Sequence, residues 1–138
     1  MRAKVRRAVE TRWLYRQESR SLRGNARADR LRSMEYLRRL AKEVWDGEAP
    51  SRRFPDIVAG RGIKYGGTLL SYCLGYTRVV LARNQRSILV LLHELTHALG
   101  PVNHGAKFVK LYFRLLEKYA KYDWRLLQGV AAERGIVL

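Results

Sequence analysis

Along this 138-residue chain, apolar residues recur at helical spacing except in one central stretch of short runs broken by glycine and proline. Val5, Ala8, Val9 and Trp13 predict a basic amphipathic helix over about residues 3–18, or an arm ordered only on binding, and Ser19 to Asn25 reads as a linker. Leu31, Met34, Leu37, Ala41, Val44 and Trp45 fall along one side of a second helix over about 26–46, ended by Gly47 and Pro50. From 51 to 86, Pro55, Gly60, Gly62, Gly66 and Gly67 separate Ile57-Val58, Ile63 to Tyr65, Thr68 to Leu74 and Tyr76 to Ala82, which predicts a small twisted sheet of three or four strands. Val79 and Leu81 face one way along the last run and Val80 the other. Helical spacing resumes with Phe108, Val109, Leu111, Tyr112, Leu115, Leu116 and Tyr119, and Trp124, Leu126, Leu127 and Val130 suggest a short final helix.

The segment from Ile88 to Leu99 is different: it is apolar almost all round, the mark of a buried helix, yet it carries His93, Glu94 and His97. Two imidazoles and a carboxylate in an apolar interior cost several kcal/mol unless paired or bound to a cation. Histidines four apart leave the same face of a helix, and a glutamate directly after the first projects beside them, the arrangement of a zinc site with a general base. Gly100-Pro101 ends this helix, glycine just past the last turn and proline unable to continue it.

A third ligand must come from beyond that stop. His104 lies seven residues past His97 and a short turn returns it to the metal; Glu117, twenty residues past, is the alternative. His104 is favoured as the only other imidazole. Metzincin spacing would place the ligand at Asn103 and needs a later methionine, whereas Met1 and Met34 both precede the motif. Tyr112 and Tyr119 fit core positions better than an oxyanion site.

The stretch His93-Glu94-Leu95-Thr96-His97 with His104-Gly105-Ala106-Lys107-Phe108 resembles the active-site signature of SprT-like (Spartan-type) zinc metallopeptidases, in particular compact metallohydrolases of bacteria and bacteriophages. The likeness covers about residues 57–115, including a short strand, Arg78 to Ala82, leading into the zinc helix, and is strongest over 88–108. It implies a zinc peptidase with His93, His97 and His104 as metal ligands and Glu94 as base, acting on a peptide bond of a folded or DNA-bound protein. The cysteine-rich zinc ribbon of larger members is missing here. The expected fold is an α+β minimal zincin, with helices on one face of a small sheet and the metal helix buried against it. If the last strand is the sheet edge beside the metal, an extended peptide can pair with it.

Composition adds a second theme. The formal charge is +16, carried by 21 arginines against 7 lysines, and residues 1–39 hold 13 basic and 4 acidic side chains. Arginine forks suit phosphate, and Trp13 and Tyr15 among them suit base stacking, so DNA or RNA is an expected partner besides the protein substrate. Two other readings are a nucleic-acid-binding protein with a structural zinc, and a regulatory protease cutting a repressor. The expected organisation is a basic segment, 1–24, before a single metallopeptidase domain, 25–138. Since every expected ligand lies after residue 92, removal of 1–24 should leave the metal set intact. A single cysteine, Cys73, reads as a packed thiol, and no signal peptide or membrane span is apparent, which predicts a cytosolic protein.

Overall fold

The computed structural model describes residues 3–138, and the side chains from Val9 onward, so Val5 and Ala8 of the expected first helix lie outside the described side chains. The fold is α+β. Helix α1 (Ala3–Gln17) runs without a break into a wider π-helical turn, Glu18–Leu22. The linker expected over 19–25 is therefore helical for most of its length. Its anchor is Leu22, fully buried, whose carbonyl accepts a hydrogen bond from the Tyr122 hydroxyl. Trp13, Leu14 and Leu22 join the same core as Leu91, Leu95, Phe108 and Leu127. The basic segment is thus packed into the main core from residue 13 onward.

The helix expected over 26–46 is two helices. Asn25 caps α2 (Ala26–Asp29) by accepting from the amides of Arg27 and Ala28, and Ser33 caps α3 (Met34–Glu48) by accepting from Tyr36. Two N-caps so close together force the chain to restart, because each satisfies the orphan amides of a new first turn. Leu31 falls in the break and is 56% exposed instead of packing with Leu37, Ala41, Val44 and Trp45. Gly47 does not end α3 but lies inside it, where a Cβ would collide with the Tyr119 hydroxyl oxygen. Close helix packing, and not termination, accounts for that glycine.

The central region forms a three-stranded sheet ordered β1-β5-β4 and a separate hairpin, β2-β3. β1 (Asp56–Gly60) pairs in parallel with β5 (Arg78–Ala82), which pairs antiparallel with β4 (Tyr72–Leu74). β2 (Ile63–Tyr65) and β3 (Thr68–Leu70) are joined by Gly66-Gly67, both at positive φ as a tight two-residue hairpin turn requires. The run expected from Thr68 to Leu74 is thereby divided between two sheets at Ser71. β5 is central, not an edge, and Val79 to Ala82 are all buried. A strand covered on both faces reads as a continuous apolar run, which is how Val79-Val80-Leu81-Ala82 appears.

Helix α4 (Ile88–Leu99), capped by Ser87 at its start, lies between the sheet and α5 (Ala106–Ala120), and α6 (Trp124–Ala132) closes the core. At its far end, the guanidinium of Arg52 donates to the carbonyls of Ala98 and Leu99 at 2.9 and 3.1 Å, placing a cation at the negative end of the helix dipole. Among the described residues, no helix is long and apolar enough to cross a membrane.

The packing of α1 predicts that Leu22→Ala will cost about 2–5 kcal/mol in urea unfolding, as for other buried leucines. Leu31→Ala, in the exposed break, should stay within about 0.5 kcal/mol of wild type. Equal effects at the two sites would mean that the Glu18–Leu22 turn is not part of the core.

Candidate metal centre

Helix α4 presents His93 and His97 one turn apart on one face, and the Gly100-Pro101 turn returns the chain so that His104 closes a triangle. The Nε2 atom of His104 lies 3.1 Å from Nε2 of His93 and 3.1 Å from Nε2 of His97. Ligands at the 2.0–2.1 Å of zinc–imidazole bonds in a tetrahedral site stand about 3.3 Å apart, so the spacing fits a single small cation. The three histidines are the group able to hold a metal among the described residues. Glu117, the alternative third ligand, lies exposed on α5 and outside this group.

Each ring is held from behind through its Nδ1. A carboxylate oxygen of Glu18 accepts from His93 at 2.7 Å, and the Pro101 carbonyl accepts from His97 at 2.8 Å. The Thr11 hydroxyl lies 3.2 Å from Nδ1 of His104. A carbonyl can only accept, so His97 carries its proton on Nδ1 and turns the Nε2 lone pair inward. Phe108 packs against all three rings, with centroids 4.6–5.0 Å away, and blocks rotation out of the cluster. The phenylalanine of the His104–Phe108 element is the floor of the site.

Two of these supports, Thr11 and Glu18, come from the amino-terminal helix and turn. Removing residues 1–24 would therefore strip the backing from His104 and His93, contrary to the expectation that the metal set is independent of that segment. Neither residue carried a signal in the sequence, because hydrogen bonds spanning 93 and 75 positions leave no local pattern. Tyr15 is a further residue not anticipated at the site. Its ring stacks parallel to that of His93 at 6.0 Å and lies edge-on to His104 at 5.9 Å.

The electrostatics are those of a site that wants one positive charge. Burial opposes protonation of His93, but Glu18 against Nδ1, with Glu94 nearby, outweighs it and lifts the group to about 9. Burial, and then the neighbouring His93, bring His97 down to about 4 and His104 down to about 2. A metal-free cluster thus carries its one positive charge on His93, and a bound cation would take the place of that extra proton. Burial pushes the Glu94 carboxyl up to about 7, with Glu18 adding and His93 opposing.

Glu94 is 5% exposed and forms no hydrogen bond or ion pair with a described residue; it borders two cavities that share Tyr15, Ser71 and His93 in their lining. One, of about 280 Å³, is lined by Tyr15, Tyr65, Leu70 and Val90; the other, of about 370 Å³, by Tyr72, Cys73, Tyr76 and Val102. Burial, with Glu94 adding, pushes the half-buried Cys73 thiol up to about 12, and its Sγ donates to the Gly75 carbonyl, in keeping with a packed thiol. Tyr112 donates to the Leu89 carbonyl and Tyr119 to Glu48, so neither hydroxyl is free to face the metal.

Comparison with protein-family models, with curated proteins and with solved structures finds no match to this chain.

Two outcomes are expected in metal competition titrations. His104→Ala should weaken binding by orders of magnitude, while Glu117→Ala should leave it nearly unchanged; the reverse order would make this a glutamate-type site. Glu18→Gln keeps an acceptor for His93 but removes the charge, and should cost about 10–100-fold in affinity, as loss of a carboxylate behind a histidine ligand does elsewhere. Wild-type affinity in Glu18→Gln would show that the ring orientation is set by Phe108 and packing alone.

Proposed function

We propose that this chain is a zinc-dependent peptidase of the SprT-like type, in which His93, His97 and His104 hold the metal and Glu94 is the general base. The observation that carries this reading is the pairing of three backed imidazoles with an unbonded, buried carboxylate opening on two cavities. A purely structural zinc site has no use for that carboxylate, whose burial without a partner costs stability. Bound zinc would supply a Lewis acid for the scissile carbonyl and would lower the pKa of water toward about 7.

The remaining work falls to the protein. Glu94, one residue from the first ligand and raised toward neutrality by burial, accepts the proton of the attacking water and passes it to the leaving amine. Tyr15 lines both cavities, and its hydroxyl bonds to no described residue. Burial, then the charges of Glu18 and Glu94, hold that hydroxyl protonated far above neutral pH. It is therefore a hydrogen-bond donor available to the oxygen that gains charge as the carbonyl is attacked. Peptide docking follows the edge strand, but the edge is β4 and not β5. Tyr72 and Cys73 of β4 line the larger cavity beside His97, so an extended peptide paired with the free side of β4 lies across the metal centre. Zincin-like architecture is the fold this arrangement suits.

Glu94→Gln should keep the metal and the fold yet lose hydrolysis of an unfolded test protein such as casein by about 10²–10⁴-fold. Tyr15→Phe should also keep the metal, and lower kcat by about 10² with KM little changed. Full activity of metal-loaded Glu94→Gln, or wild type that binds zinc and cleaves nothing, would refute the assignment.

A further inference from the structure

Over the described residues, the exposed side of α1 and its π-helical turn carries Val9, Ser19 and four arginines, and no exposed acid. Arg12, Arg16 and Arg20 follow one another at four-residue intervals along one stripe, Arg23 continues it, and all four are exposed. Among the described residues none of them forms a salt bridge or hydrogen bond, although this helix and its π-helical turn contain two described acids. Both acids are turned inward: Glu10 stands 3.4 Å from Arg134, and Glu18 is committed to His93. Like charges four apart on a helix repel, and no described residue forms an ion pair with the stripe.

Helix α3 handles its exposed charge in the opposite way. There Glu35 pairs with Arg39 and Asp46 with Lys42, each four residues apart. The contrast separates a solvated, internally neutralised face from one left open for an external anion. The stripe also has an address. Ser19 and Arg23 line the smaller cavity together with Tyr15, Glu18, His93 and Glu94, so the stripe reaches the cleft beside the histidines at its Arg23 end.

We infer that the Arg12-Arg16-Arg20-Arg23 stripe, which runs from α1 through its π-helical turn, is a binding surface for a nucleic-acid phosphate backbone ending at the margin of the candidate metal cleft. From Arg12 to Arg23 the α-helix and its wider turn advance at most about 17 Å, a distance over which one strand of duplex DNA presents about four to five phosphates. Guanidinium forks suit that repeated anion in bidentate contacts, and the chain carries 21 arginines against 7 lysines. The surface itself needs no metal; only its placement beside a catalytic cleft rests on the peptidase reading.

The test uses the full-length, zinc-supplied protein and fluorescence anisotropy with a labelled oligothymidylate strand and a labelled duplex, each of roughly 20 nucleotides or base pairs, from about 50 mM salt upward. The triple variant Arg12→Gln, Arg16→Gln, Arg20→Gln should lose about 30-fold or more in affinity, and its log–log salt slope should fall by about 2–3, as expected for three lost phosphate contacts. A control carrying Arg53→Gln, Arg61→Gln and Arg125→Gln removes the same charge from other exposed positions and should lose less than about fivefold. The two probes separate a single-strand from a duplex ligand. Zinc content and thermal melting of each variant establish that the fold is retained. Equal losses in the two variants, no binding of either probe at low salt, or capture of polyglutamate in preference to DNA would each overturn the inference. Glu94→Gln should bind DNA as wild type does, so a protein that fails to cleave leaves the surface standing, and one that cleaves without binding DNA leaves the peptidase reading standing.

Discussion

The hydrogen bond from His93 to Glu18 is the contact on which the site depends. It joins the metal helix to a turn 75 positions earlier, in a setting where both groups are almost wholly buried. A buried carboxylate and a buried imidazole are each costly alone; together they satisfy one another and aim the remaining ring nitrogen at the centre of the cluster. The Pro101 carbonyl does the same for His97 and Thr11 for His104, so the orientation of the whole ligand set is decided from outside the set.

That dependence explains the packing of α1. The arginine-rich helix docks through its apolar residues: Trp13, Leu14 and Leu22 are buried and Tyr122 reaches the Leu22 carbonyl. The carboxy-terminal turn adds Glu133, which accepts from Gln17 at 2.9 Å, and Arg134, which packs over Trp13. The carboxy-terminal turn thereby helps hold α1 against the three histidines. The inward side of α1 and its π-helical turn backs two of the three histidines, and the described arginines on the outward side form no ion pair, so a ligand on the arginine stripe would touch the segment that supports them.

The cleft is shaped by the exchange of β4 for β5 at the sheet edge. Parallel pairing with β1 places β5 in the interior, and its continuous apolar run is suited to being covered on both sides. The short β4 is left with a free side next to Glu94 and His97, where Cys73 and Tyr72 face the larger cavity.

Features built from residues close together in the chain are legible in the sequence itself. His93, Glu94 and His97 share one helical face by spacing alone, Gly100-Pro101 has to stop that helix, and His104 lies within reach of a short turn, so the histidine cluster and the α+β character follow directly. The single helix expected over 26–46 fails where Asn25 and Ser33, recognisable cap residues, outweigh apolar spacing. The order of the strands, the docking of the basic segment and the roles of Thr11, Tyr15 and Glu18 are decided only in three dimensions. Helical periodicity and turn chemistry act over a few residues and leave a local trace. A hydrogen bond between Glu18 and His93, or the choice of which strand becomes the edge, depends on how distant elements pack, and no short stretch of sequence records it.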